Sequence, residues 1–147
     1  MVDHGLVELV EKGVALAEQG NTLVALLHLE DAARLGSTPI LNSYLGYCLA
    51  RERRQFKQGA SLCAEALAQE PEQVVHYLNL GRVYLAAGQK AMAIKTFRQG
   101  LKLGKNRPIT EELNKLGIRK RPVLASIPRA HRLNKHLGLF FTRLGIR

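Results

Sequence analysis

One set of residues recurs along this 147-residue chain at intervals of 33 to 35. The third copy is the fullest: Tyr77, Leu80, Gly81, Tyr84, Gly88, Ala93 and Phe97 follow one another at spacings of 3, 1, 3, 4, 5 and 4. Thirty-five residues earlier, Gly46 stands between Leu45 and Leu49, and Ala66, Leu67 and Pro71 close the unit. Thirty-three residues before Gly46 comes Gly13, followed by Leu16, Gly20, Ala25, Leu29 and Ala32. The copies therefore run over about 6–38, 39–73 and 74–107, with one extra residue between Arg51 and Lys57 in the second. A unit of this length with helical spacing is a pair of helices that cannot bury its apolar face alone. Such units are stable only when stacked, and the stack presents an extended concave surface.

Local signals give the same reading. Gly46 and Gly81 fall mid-helix, where glycine costs about 1 kcal/mol relative to alanine. Its return at one register implies that no larger side chain fits, with Ala25 and Ala93 expected as small partners on the second helices. Thr38 before Pro39 reads as a cap with proline at the first helical position. Glu70-Pro71-Glu72 reads as another helix start. Gly20-Asn21, Gly88 and Gly104 read as turns. Thr110 with Glu111 and Glu112 predicts a short capping helix over 108–117 that covers the last repeat through Leu113 and Leu116, with Gly117 ending it. No stretch alternates apolar and polar residues for long enough to predict a strand.

The pattern resembles the tetratricopeptide repeat (TPR) family over about 100 of the 147 residues. The resemblance implies an all-α, right-handed helical-hairpin solenoid of three repeats over 1–107. This chain departs from the family at Lys12, Gly59, Cys63 and Gly100. Transferring the family register places Val7, Val10 and Val14 on the concave face in the first repeat. Ile40, Ser43, Tyr47 and Arg51 follow in the second, and Val75, Leu78, Arg82 and Leu85 in the third. The implied surface is an apolar groove with two arginines, and an exposed apolar patch is normally an interaction site. Some members hold the terminal carboxylate of a chaperone with a clamp of Lys, Asn and Arg. The corresponding positions here are Val10, Val14, Tyr44, Val75 and Asn79, so the resemblance implies no such clamp.

Charge divides the chain. Residues 1–101 hold ten Lys/Arg and ten Asp/Glu, whereas residues 102–147 hold twelve Lys/Arg against Glu111 and Glu112, so the whole net charge of +10 lies in the last third. After a proline-bounded linker, Leu133, Leu137, Phe140, Phe141 and Leu144 form an apolar stripe at helical spacing, with Arg132, Lys135, His136 and Arg143 mostly off it. The segment 118–147 thus reads as a basic linker and an amphipathic helix too short to span a bilayer. Three placements are open. The helix could pack on the repeats, its own groove included, lie on an anionic membrane surface, or dock into another protein. Nucleic acid is disfavoured, because no recognition module is present. A homodimer formed through the tail is a further option.

Enzymatic chemistry finds no support. His4, His28, His76, His131 and His136 are scattered and read as helix-surface residues. No phosphate-cradling glycine loop or metal-ligand spacing is present, and no cofactor is implied. Cys48 and Cys63 fall on apolar helix faces and read as reduced core thiols. The start, Met1-Val2-Asp3-His4-Gly5, lacks the features of a signal peptide, which leads to the expectation of a cytoplasmic protein, membrane-associated if the tail anchors it. The expected function is a non-catalytic adaptor that takes an apolar helix or extended segment in its groove, with Arg51 and Arg82 orienting it. The alternative is a peripheral anchor that uses the basic tail on an anionic membrane or nucleic acid.

Overall fold

Residues 41–50 are buried without interruption, although they include Asn42, Ser43, Tyr44, Tyr47 and Cys48. Only a helix surrounded by other helices can be buried all round, and the computed structural model, which describes residues 3–117, provides that surround. Helix α1 (His4–Glu18) pairs with α2 (Thr22–Leu35), α3 (Pro39–Arg53) with α4 (Phe56–Gln69), and α5 (Val74–Ala86) with α6 (Lys90–Leu101). A seventh helix, α7 (Arg107–Lys115), follows. No strand occurs among the described residues. Helix α3 lies at the centre and touches α1, α2, α4 and α5. The architecture is an all-α helical-hairpin solenoid of three repeats.

The helix boundaries follow local chemistry. The Thr38 hydroxyl accepts a hydrogen bond from the Leu41 N–H at 3.2 Å, and Pro39 occupies the first turn of α3. Gly20 and Gly88 take positive φ angles of 85° and 76° at the turns inside the first and third repeats. Two expected starts are displaced. Residues 70–73 form a turn closed by the Gln73 N–H on the Glu70 carbonyl, so α5 begins only at Val74. Proline and a short acidic stretch suit the corner of a turn as well as a helix start. Thr110 lies inside α7, because Asn106 caps that helix by accepting from the Ile109 N–H at 3.0 Å. Arg107 and Pro108 form its first turn.

The mid-helix glycines mark where helices touch. A Cβ added at Gly46 would stand 2.5 Å from the Gly59 carbonyl oxygen, and one at Gly59 would stand 2.5 Å from the Gly46 carbonyl oxygen. The pair lets the backbones of α3 and α4 meet, and it explains the departure at Gly59. At Gly81 the added carbon would collide with the Phe97 ring, which is itself fully buried. The expected partners Ala25 and Ala93 are also fully buried, but the atoms that exclude a side chain at Gly46 and Gly81 belong to Gly59 and Phe97.

Cys48 and Cys63 are buried, unpaired thiols, and burial pushes both up to about 12. The Cys63 thiol donates to the Ser43 carbonyl at 3.4 Å. His76 corrects the surface reading of the histidines: it is fully buried, with Nε2 at 2.8 Å from a Glu70 carboxylate oxygen. That contact ties the start of α5 to the turn before it. The described residues up to Leu113 form one compact unit. Beyond it, α7 ends at Lys115, and Gly117 takes a φ of 72°. The stripe Leu133, Leu137, Phe140, Phe141 and Leu144, and Arg132, Lys135 and Arg143 beside it, lie outside the described residues.

Candidate functional site: the concave face

Three helices, α1, α3 and α5, converge on one face through side chains that their periodicity aims at one another. Glu18, the last residue of α1, receives a hydrogen bond from the Tyr44 hydroxyl of α3 at 2.7 Å. It also receives two from the Arg82 guanidinium of α5, at 2.9 and 3.4 Å. Arg82 donates further to the Asn79 side-chain oxygen at 3.2 Å, and the Asn79 amide donates to the Ser43 hydroxyl at 3.0 Å. The Arg82 guanidinium lies over the Tyr47 ring, 4.9 Å from its centroid. Its Nε stands 3.9 Å from a Glu112 carboxylate oxygen of α7. A chain of polar contacts thus crosses the middle of the face, with Arg82 at its hub.

The electrostatics follow from this geometry. Burial by itself would raise the Glu18 carboxyl, but the hydrogen bonds from Arg82 and Tyr44 and the charge of Arg82 outweigh it and hold the group below its ordinary value. Burial and the neighbouring Glu18 carboxylate push the Tyr44 hydroxyl well above its ordinary value, so it stays a donor. For Arg82, burial works against the charge, but Glu18 more than restores it.

Four of the expected groove residues meet in one cavity. Tyr47, Arg51, Arg82 and Leu85 line a space of about 340 Å³ together with Ala50, Arg54, Phe56, Ala86 and Glu112. The remaining seven do not line it: Ile40 is half-buried against the core, and Ser43 is fully buried. Val10 is buried, and Val14 and Val75 are half-buried against the core formed by the first two repeats. Leu78 is 2% exposed, and Val7 is exposed near the beginning of α1. Arg51 is exposed at the rim of the cavity, whereas Arg82 is engaged by Glu18, Asn79 and Tyr47.

Sequence reasoning missed Glu18, Arg54, Phe56 and Glu112. The Glu18–Arg82 pair is separated by 64 positions, which no local pattern reports. Arg54 lies in the α3–α4 turn and Phe56 opens α4, both within the stretch that carries the one-residue insertion. No group of three or more His, Cys, Asp or Glu residues that could hold a metal occurs among the described residues, and none of their helices is long and apolar enough to cross a membrane.

A family model for the tetratricopeptide repeat matches residues 50–109. No curated protein matches the chain. Solved structures do. The first TPR of Spaghetti (RPAP3) bound to the HSP90 peptide SRMEEVD is 22% identical with a TM-score of 0.59, covering 80% of this chain and 94% of that one. The first TPR domain of human RPAP3 is 25% identical with a TM-score of 0.58, covering 78% and 91%. The second TPR domain of human RPAP3, in complex with the HSP70 peptide SGPTIEEVD, is 14% identical with a TM-score of 0.57, covering 78% and 97%.

Proposed function

Because this chain is a tetratricopeptide-repeat protein, we propose that it is a non-catalytic protein-binding scaffold that takes an apolar helix or extended segment of a partner on its concave face. The observation that carries this reading is the cavity between α3 and α5. It combines Tyr47, Phe56, Leu85, Ala50 and Ala86 with charged groups at its margin, in a space large enough for one or two side chains. A surface with apolar walls and a few placed polar groups is what peptide recognition by helical repeats requires.

Two of the similar structures are named for bound chaperone peptides, and this supports a protein partner for the same fold. The chemistry of this face differs from a carboxylate clamp built at the inner positions. Val10 is buried there, Tyr44 donates to Glu18, and both ends of the buried Asn79 amide are engaged within the chain. The partner segment on this reading is apolar at its centre.

The test compares full-length wild type with Leu85→Asp and with a chain lacking residues 118–147, each used to capture partners from nuclease-treated lysate. A partner held at near-stoichiometric amount by wild type and by the shortened chain, and lost by Leu85→Asp with its melting temperature preserved, is the expected result. Capture that survives Leu85→Asp but disappears with the tail would overturn the groove and shift the binding to residues 118–147. Leu85 suits the test better than Leu78, whose burial would confuse lost binding with lost folding.

A further inference from the structure

The arginines around the cavity are not equivalent. Arg53 is committed to Glu30 through both carboxylate oxygens, linking α3 to α2. Arg82 is committed to Glu18. Arg51 and Arg54 also line the cavity, yet neither forms an ion pair with a carboxylate among the described residues. Both are exposed. The carboxylate in the cavity wall, Glu112, lies 3.9 Å from Arg82. The rim on the α3–α4 side therefore carries two uncompensated guanidinium groups beside an apolar wall.

Arg54 is placed there by an unusual backbone. It caps α3 in the left-handed conformation, with φ 56° and ψ 28°, and is the one non-glycine residue with positive φ among those described. Glycine normally fills this position after a helix, because a Cβ is disfavoured there. The arginine turns back over Phe56, with its guanidinium 5.6 Å from the ring centroid. The favourable field at a helix C-terminus explains cations in the last turn of α3. It does not explain why two of them border a cavity whose apolar walls include Phe56, Leu85 and Ala86.

We propose that this rim holds the side-chain carboxylate of an acidic, extended segment of a partner protein, with Arg51 and Arg54 as its ligands and an adjacent apolar side chain lodged against Phe56 and Leu85. The proposal rests on the groove reading above and adds the partner's charge. Charge complementarity selects this occupant, since guanidinium forks match carboxylates in shape and bond strength. The site is offset from the inner clamp positions, which here carry valines, Tyr44 and the engaged Asn79.

The test uses the full chain and two fluorescein-labelled decapeptides, both acetylated and amidated so that no terminal carboxylate is present. One alternates leucine with glutamate, the other leucine with glutamine. Wild type binds the glutamate peptide about tenfold tighter or more, as expected for charge-assisted bonds, and the preference shrinks with salt. Arg51→Glu with Arg54→Glu abolishes that preference at an unchanged melting temperature. Arg132→Glu with Lys135→Glu and Arg143→Glu keeps it, which separates the rim from general attraction to a basic chain. Loss of the preference in the second variant and not the first overturns the proposal. So does tighter binding of a leucine–phosphoserine peptide than of the glutamate peptide, which makes the site one for phosphate. Equal binding of both peptides, each lost in Leu85→Asp, overturns the acidic partner and leaves the groove standing. No peptide binding, with undiminished partner capture by Leu85→Asp, overturns both.

Discussion

Helices α2 and α3 invert the ordinary relation between composition and burial. The α2 sequence, TLVALLHLEDAARL, is the more aliphatic, yet Leu23, Leu27 and Leu35 are 58%, 54% and 50% exposed. The α3 sequence, PILNSYLGYCLARER, carries more polar groups, yet ten consecutive residues of it are buried. What differs is position in the stack. Helix α3 has neighbours on all sides, so even its polar residues are covered and must find partners. Asn79 supplies one for Ser43, and Glu18 supplies one for Tyr44. Helix α2 belongs to the first repeat and, among the described helices, packs mainly against α1 and α3. In a solenoid, burial is granted by neighbours more than by side-chain character.

The largest effect should come from breaking the crowded helix where it cannot yield. In Gly46→Leu the new side chain meets the Gly59 backbone, and relief requires α3 and α4 to separate. The expected loss is about 3 kcal/mol or more, at the upper end of overpacking, read as a lower urea midpoint. Gly81→Ala meets a ring, and the ring can turn. That substitution should cost less, about 1–3 kcal/mol. Equal losses at the two sites would show that α3–α4 and α5–α6 are equally tolerant, against the geometry.

Next in size is the polar chain across the concave face. Arg82→Ala removes hydrogen bonds to Glu18 and Asn79 and leaves the carboxylate beside Tyr44 without its cation, for an expected cost of about 2 kcal/mol. A smaller signature follows in pH. Because Glu18 sits below its unfolded value of 4.5 in the folded chain, its contribution is fully present above that value. It is lost as the pH falls through 4.5 and then through the lower folded value. Wild type should therefore lose more stability than Arg82→Ala between about pH 5 and pH 3. Glu8, also lowered by Lys12 on the surface, contributes alike to both chains and cancels. Parallel pH curves would remove Arg82 as the group that holds Glu18 ionised.

The repeat, its helix pairs and most turns were legible because they depend on spacing within about 34 residues. Gly46 and Gly81 announced close contacts, and Thr38-Pro39 announced a helix start. The identity of what crowds each glycine was not legible, since the facing residues Gly59 and Phe97 are set by how two helices cross. The site was legible in part for the same reason. Tyr47, Arg51, Arg82 and Leu85 follow from the family register transferred onto the repeats, and all four line the cavity. The reach of Glu18 across α3 to Arg82 depends on three helices stacking, and the direction of Arg54 depends on a left-handed cap. Sequence offers no periodic signal for either.

The smallest expected effect tests the comparison most sharply. Leu26 and Leu27 are adjacent and chemically identical, but Leu26 is 1% exposed and Leu27 is 54% exposed. If neighbours decide burial, Leu26→Ala should cost about 2–5 kcal/mol through the cavity it leaves. Leu27→Glu, a far more radical change, should stay within about 0.5 kcal/mol of wild type. The new carboxylate stands three and four residues before Glu30 and Asp31, and the small repulsion expected there falls within that limit. A large loss at Leu27 would mean that this face of α2 is covered in solution. It would then be no exposed end of a stack, and the contrast with α3 would narrow to one between two buried helices. A loss that appears only at high protein concentration would place the cover on a second molecule.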